Sequence, residues 1–331
     1  MKLCKKFNLD SKLDNCKLDV VSNLKYYLIA PVVLILIGMI LLFSVGFNKS
    51  IDFTGGTVVK VYIGETFTYE EGKTKIEDVL DNNGLVASVF QLTELEGSNY
   101  VTVKYQDLNS LTETEMSNLN QQVVEDLFAE FGYDQEDYEQ ANYIDGNQRI
   151  NASLAETAIV NVFSGIVLAS VIIVVYFLIR FGHQSAMSAL ISVYHDILLA
   201  IALALIVRVE INMTFVSALV AIMAYSFVNN ALIFGKIRTL SQDKTLKAKF
   251  IANESVKHNM HISMTITWFA VLALLLFIFV GTSSTLPFSL VALFGVIASF
   301  YSSNFLAPAL WSFVYIPKKK KPKAEKVEEI V

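Results

Sequence analysis

YLIAPVVLILIGMILLFSV, residues 27–45, contains no charged side chain. A helix of about 20 such residues crosses the hydrocarbon core of a bilayer. Five further blocks repeat the pattern: about Ala158–Ile179, Ala186–Val207, Ile211–Phe234, Ile262–Val280 and Leu290–Val314. The chain of 331 residues is 54% hydrophobic and only 17% charged, with mean hydropathy +0.49, as expected when the apolar residues face lipid. The first block is too long for a cleaved signal peptide and lacks a small-residue cleavage site, so it is expected to stay as an anchor. Pro31 is placed in its first turns, where proline is tolerated.

Charge orients the spans. Lys2, Lys5, Lys6, Lys12, Lys17 and Lys25 precede the first span, and Arg180 and His183 follow the second. Lys236, Arg238, Lys244, Lys247, Lys249 and Lys257 join the fourth to the fifth, and Lys318, Lys319, Lys320, Lys321 and Lys323 follow the sixth. Six spans put all of these on one side, which the positive-inside rule makes cytoplasmic, with both termini. The expected organisation is a basic tail over 1–26, the first span over 27–45, an outer domain over 46–152, spans two to six over 153–316, and a second basic tail over 317–331. The location that follows is a cell membrane, crossed several times.

The outer segment carries six Lys/Arg against twenty Asp/Glu, while the rest of the chain carries twenty against eleven. Such acidity argues against nucleic acid as a partner, since phosphates need a basic surface. The basic inner segments suit anionic lipid. Thr57–Ile63, Leu85–Leu92 and Tyr100–Tyr105 alternate like strands, and a weak strand is expected near Asn142–Ile144. Gly97-Ser98-Asn99 reads as a hairpin turn. Thr74–Asn83, closed by Gly84, and Thr112–Phe131, closed by Gly132, read as helices. The order β-α-β-β-α-β predicts a small α+β, ferredoxin-like domain beside a helical membrane bundle.

Chemistry-bearing motifs are few. Cys4 and Cys16 lie in the reducing cytosolic tail with no nearby histidine, so neither a disulfide nor a four-ligand zinc site is expected. The acidic run Asp134–Glu139 lacks the glycine and spacing of a calcium loop. No P-loop, G-x-S-x-G or H-E-x-x-H occurs, so no enzyme and no cofactor is expected. Ile51-Asp52-Phe53-Thr54-Gly55-Gly56-Thr57 stands directly after the first span. Its paired glycines permit positive φ and close backbone approach, and Asp52 and Thr54 can satisfy backbone donors in the turn.

In this position, IDFTGGT resembles the signature of the SecF branch of the SecD/SecF protein-export family. Arg180-Phe181 is similar to the family's R-F turn and His195-Asp196 to its H-D pair. Val209-Glu210-Ile211-Asn212-Met213-Thr214 resembles its EI(D/N)LT stretch. Ala224-Tyr225-Ser226 and Ile237-Arg238 resemble the ends of its GYSIND…DRIRE segment, and Asn253, Ser255 and Val256 its N-x-S-(V/I) segment. The resemblance covers nearly all of residues 24–315. It implies a six-helix half of the RND transporter superfamily. It also implies an auxiliary role in late Sec protein export, energised by the proton gradient, with a SecD-like subunit, the Sec translocon channel and exported unfolded polypeptide as partners.

The departures fall where proton chemistry would need the family residues. The family's intramembrane N-D pair is Val228-Asn229 here, a second aspartate is Gly235 and an arginine is Lys236. A span-five arginine is matched by Ile262. A carboxylate–guanidinium pair cannot form at those positions. The polar residues left at membrane depth are His195, Asp196, Ser226, Asn229 and Asn230, which either relay protons or hydrogen-bond between helices. Three readings stay open: an export subunit that shares in coupling, a non-conducting structural subunit of the same complex, or an RND-type half-transporter for a lipid or small molecule.

Overall fold

The structure is a computed structural model that describes residues 19–62, 68–95, 98–106, 108, 111–132, 144–150, 152–281 and 285–315. Cys4, Cys16, the Asp134–Glu139 run, Gly97 and the lysines after the last span lie outside these residues. Among the described residues, six helices are long and apolar enough to cross a membrane. They are α1 (Leu24–Ser44), α5 (Ala152–Phe181), α6 (His183–Val207), α7 (Met213–Leu240), α8 (Ala248–Val280) and a composite sixth. The sixth joins α9 (Leu286–Tyr301) and α10 (Ala307–Val314) through a π-helical turn over Ser302–Leu306.

Two sequence expectations about the helices need correction. Helix α8 begins at Ala248, not near Ile262, so Lys249 and Lys257 sit on a helical extension of span five. Nothing in residues 248–261 breaks a helix, and the helix has no reason to stop where its apolar run begins. Pro31 is not in the first turns of α1, because the helix already starts at Leu24. A proline there cannot donate to the carbonyl four residues back, which is that of Tyr27. The Tyr301 hydroxyl donates to this carbonyl from span six. A backbone group that lipid could not satisfy is thus used as an interhelical bond.

Spans three, four and six form the bundle's centre. Ala186, Ala189, Val193, Ala200 and Ala204 of α6 pack with Ala218, Leu219, Ile222 and Met223 of α7 and with Val291, Ala292 and Val296 of α9. Small residues let these backbones approach closely. A Cβ on Gly295 would fall 2.1 Å from Ile222 Cγ1, and one on Gly38 of α1 would fall 2.5 Å from Ala202 Cβ.

The segment between the first two spans folds as a second layer structure. After a single helical turn, α2 (Ile51–Thr54), come β1 (Gly56–Tyr62), α3 (Tyr69–Asn82), β2 (Ala87–Leu95), β3 (Ser98–Gln106), α4 (Glu113–Phe131) and β4 (Ile144–Ile150). Among the described residues the sheet order is β2-β3-β1-β4 with every neighbour antiparallel, the ferredoxin-like arrangement. The last strand holds Ile144 of the expected Asn142–Ile144 and runs on to Ile150, while residues 142 and 143 lie outside the described residues. Val59, Val61, Val101, Val103 and Tyr105 bury one face of β1 and β3 against Ile76 and Leu80 of α3 and Met116, Val123 and Leu127 of α4. Alternate residues Lys60, Tyr62, Tyr100 and Lys104 turn to the other face, as the period of two requires. Helix α3 starts five residues earlier than expected, because Thr68 and Glu71 close a capping box that fixes its N-terminus.

Thr112 and Glu115 make the same box on α4. The Thr112 amide and hydroxyl hold the Glu115 carboxyl below its ordinary value. This contribution is complete above the ordinary glutamate range and fades as pH falls through the lowered value. Thr112→Ala should destabilise the domain by about 1 kcal/mol. Hydrogen exchange of the first α4 amides at neutral pH should read the loss, and the difference from the parent should shrink in acid.

Candidate functional site: the signature turn and the intramembrane polar cluster

Gly46–Asp52 leaves span one and docks on Arg208–Met213, the turn from span three to span four. Arg208, the C-cap of α6 at φ 60°, donates from Nη1 to the Gly46 carbonyl at 2.7 Å. The Asn48 side chain donates back to the Arg208 carbonyl at 3.3 Å. The Ile211 amide donates to the Asn48 carbonyl at 2.8 Å, and the Ser50 amide to the Ile211 carbonyl at 2.9 Å. Asp52 then accepts from the amide of Met213, the first residue of α7, through Oδ2 at 2.9 Å. Asn212 caps the same helix by accepting from the Phe215 amide at 2.9 Å. Two orphan donors of the span-four N-terminus are thereby satisfied.

The roles of Asp52 and Thr54 differ from a turn that serves its own amides. Residues 51–54 close one helical turn, so Asp52 is released to span four, and Thr54 Oγ1 donates to the carbonyls of Ser50 and Gly55. Phe53 donates its amide to the Ser50 carbonyl at 3.0 Å and belongs to the same turn. Gly55 and Gly56 have φ 78° and 155°. A Cβ on Gly56 would lie 2.5 Å from both Ile51 Cγ2 and the Tyr105 carbonyl. Thr57 is buried and accepts from Asn120, whose Oδ1 in turn accepts from the Tyr105 hydroxyl, so the turn runs straight into the domain core.

The second group lies inside the bundle, where α7 rises about 20 Å from Met213 to Ser226. Asp196 is fully buried. Ser226 Oγ donates to its Oδ2 at 2.6 Å, and His195 Nδ1 stands 3.2 Å from its Oδ1. Asn230 Nδ2 donates to the Ser226 carbonyl at 2.9 Å and reaches Ser192 Oγ and Ser226 Oγ at 3.3 Å. Ser192 donates to Ser302 of the π turn at 2.9 Å. His195, Asp196, Ser226 and Asn230 are therefore one cluster. Asn229 turns instead to Ser299 of span six, at 3.4 Å. Among the described residues Asp196 is the one carboxylate inside the bundle, and no group of residues there could hold a metal.

Sequence reasoning missed most of this lining. Ser185, Ser188, Ser192 and Asp196 share a buried face of α6 at spacings of three and four, as do Ser255, Asn259 and Ser263 on α8. The helical spacing of small polar residues in an apolar run was the available signal. Ile262 is 45% exposed on the bundle surface, whereas Asn229 is buried.

Residues 133–316 match the family described as "Protein export membrane protein SecD/SecF, C-terminal", and residues 40–61 match the "SecD/SecF GG Motif", which contains the turn just described. The protein translocase subunit SecF of Helicobacter pylori J99 is 27% identical over 289 residues, 86% of this chain and 83% of that protein. The SecF subunit of Sebaldella termitidis is 29% identical over 93% of this chain and 95% of its own length. A solved structure of SecDF from Thermus thermophilus, titled a translocon-associated membrane protein, has the same fold, with TM-score 0.66 at 19% identity over 89% of this chain. This chain spans only 38% of that one.

The turn should be more sensitive at Gly56 than at Gly46. Both have positive φ, which costs a side chain about 1 kcal/mol or more. Gly46 opens on empty space, whereas Gly56 faces the Tyr105 backbone. Thermal unfolding of the purified full chain should therefore show a larger loss for Gly56→Ala than for Gly46→Ala. Asp52→Ala should cost a further cap of about 1 kcal/mol, seen as faster exchange at the Met213 amide.

Proposed function

The chain belongs to the SecD/SecF family of protein-export membrane proteins, and on that premise we propose that it is the SecF-type half of a two-part export machine. Its spans pair with a SecD-like subunit beside the Sec translocon channel, and its outer domain handles exported polypeptide late in translocation. The single observation that carries this is coverage. The chain matches SecF subunits along almost their whole length, yet fills about two-fifths of the SecDF chains it resembles. In this reading a SecD-like subunit corresponds to the remaining three-fifths of those chains.

Span four offers a surface for it. Ser217, Ala221, Ala224 and Val228 lie exposed along one face of α7, and a Cβ on Gly235 would meet nothing. Such small residues admit a close helix partner. The charge distribution supports an orientation with both termini in the cytoplasm and residues 46–152 outside, and the basic inner ends suit anionic lipid.

The proton gradient supplies the energy, and Asp196 is the group through which this chain takes part. A carboxylate from span three reaches Ser226, one turn from Asn229, where the family keeps its own aspartate. A second reading, a structural subunit whose partner does all the coupling, is favoured by Asn229 and Ile262, neither of which can ionise. Asp196→Asn separates the two, because it keeps the shape and the bond to Ser226 but cannot titrate. If Asp196 couples, the variant assembles with its partner and loses gradient-dependent export. Undiminished export by Asp196→Asn, with failed assembly of Asp196→Leu, assigns coupling to the partner. The orientation has its own check, made with Cys4 and Cys16 replaced by serine. Ser98→Cys should react with an impermeant thiol reagent on intact cells, and Ser241→Cys only after the membrane is opened.

A further inference from the structure

The polar groups of the bundle are not spread evenly along it. Toward the end where span one begins, buried Ser185, Ser188 and Ser192 line span three, Ser255, Asn259 and Ser263 line span five, and Ser302, Ser303 and Asn304 line span six. Contacts link the upper part of this lining. Asn304 Nδ2 donates to Ser263 Oγ at 2.9 Å, Ser192 to Ser302 at 2.9 Å, and Ser226 to Asp196 at 2.6 Å, with Asn230 between Ser192 and Ser226. Beyond Asp196 the centre is mainly apolar: Ala200, Ala204 and Leu205 of span three lie with Phe215, Ala218 and Ile222 of span four and Val291 and Ala292 of span six, and the one buried serine of span six there, Ser289, returns its hydroxyl to the Thr285 carbonyl of its own helix. Several of the lining oxygens are buried without a protein partner, namely Ser255 Oγ, Ser303 Oγ, Asn304 Oδ1 and Asn230 Oδ1. Buried acceptors of this kind cost free energy unless water or another donor meets them.

The residues before span one lie along this polar half. Val20 is fully buried with Leu24 against Val256 and Met260 of span five and Leu306 and Ala309 of span six. Polar bonds hold this strap down. Lys249 Nζ lies 2.7 Å from Asp19 Oδ2 and donates to Ser22 Oγ at 2.6 Å. Asn253 accepts from the Val20 amide at 3.0 Å and donates to Asp19 Oδ1 at 3.2 Å. The Lys249 ammonium keeps the Asp19 carboxyl down at about 2, so the clasp stays ionised across the physiological range and loosens only as pH falls through that value.

We propose that the inner half of the bundle is a hydratable polar file that connects Asp196 to the cytoplasmic face alone, and that residues Asp19–Leu24 are the strap that keeps it shut. The ligand is water, and through it protons. The apolar half seals Asp196 from the outside, so this chain exchanges with the cytoplasm, and access from the other side falls to the partner half. The assignment of cytoplasmic to this end rests on the orientation proposed above, but the file and its strap do not depend on export activity.

The test is cysteine accessibility in the full chain in inverted membrane vesicles, with Cys4 and Cys16 replaced by serine and a charged methanethiosulfonate as probe. Ser255→Cys and Ser263→Cys should react slowly behind the intact strap. Lys249→Gln, which removes only a half-exposed partner, should speed both reactions by up to about fivefold, the scale of one exposed ion pair. Val20→Asp should speed them further. Ile222→Cys, in the apolar half, should stay unreactive in every background. Unchanged rates at Ser255 and Ser263 in both strap variants would overturn the strap, and reaction at Ile222 equal to that at Ser263 would overturn the one-sided file. Because labelling needs neither export nor the partner, these outcomes are independent of whether the export reading holds.

Discussion

An α-helix that starts at a membrane surface presents amide donors that neither lipid nor its own turns can satisfy. Span four meets this constraint with two side chains, Asn212 from its own cap and Asp52 from the turn that enters the outer domain. Much of the remaining architecture follows from the second. Asp52 reaches Met213 only because the chain after span one is pinned by backbone bonds to Ile211 and by Arg208. The turn can hold that position only because Gly56 brings no side chain against Ile51 and the Tyr105 carbonyl. The first strand of the domain, the exit of span one and the start of span four are one continuous piece of hydrogen-bonded structure. The outer domain is thereby tied to span four, the span that carries Ser226, Asn229 and Asn230.

Within the bundle the competing costs are those of burying polar groups and of leaving backbones apart. Alanine, serine and glycine resolve both, because they permit close approach and the serines hydrogen-bond locally. Ser188 and Ser170 return their hydroxyls to carbonyls four residues back on the same helix. Asp196 has the most to lose from burial, and it is placed where two neighbours reach its oxygens, at the boundary between the polar and apolar halves of the centre. The π turn at Ser302–Leu306 adds a residue to span six just before Pro308 and turns Ser302, Ser303 and Asn304 inward together. Extra residues of this kind are often found at functional sites, where they re-aim side chains without breaking a helix.

Family membership and fold carry the identification of the chain as an export subunit. The departures from the family pattern have structural sense of their own. Asn229 keeps a hydrogen bond inside the bundle, to Ser299, and asks for no counter-charge. Ile262 faces outward, where an arginine would have needed a partner of its own.

The amino-acid order by itself determined the six spans, the β-α-β-β-α-β order of the domain and the glycine-dependent turn between them. Each of these is a local pattern: an apolar run of membrane length, a period of two or of 3.6, a residue without a Cβ. Helix ends were less legible. The Thr68–Glu71 box was present in the sequence but lay outside the apolar repeat, and span five continues through charged residues that a hydropathy criterion excludes. The tertiary structure alone decided which groups meet. The partner of Asp52 lies 161 residues away, and the contact of Asp19 with Asn253 spans 234. The Tyr27 carbonyl freed by Pro31 finds Tyr301 in another span. The cluster of His195, Asp196, Ser226 and Asn230, and its separation from Asn229, depend on how far each helix is rotated and shifted against its neighbours. Local periodicity gives a helix its faces. Only the packing of all six helices together fixes which face meets which, because that choice minimises voids and unsatisfied polar groups over the whole bundle at once.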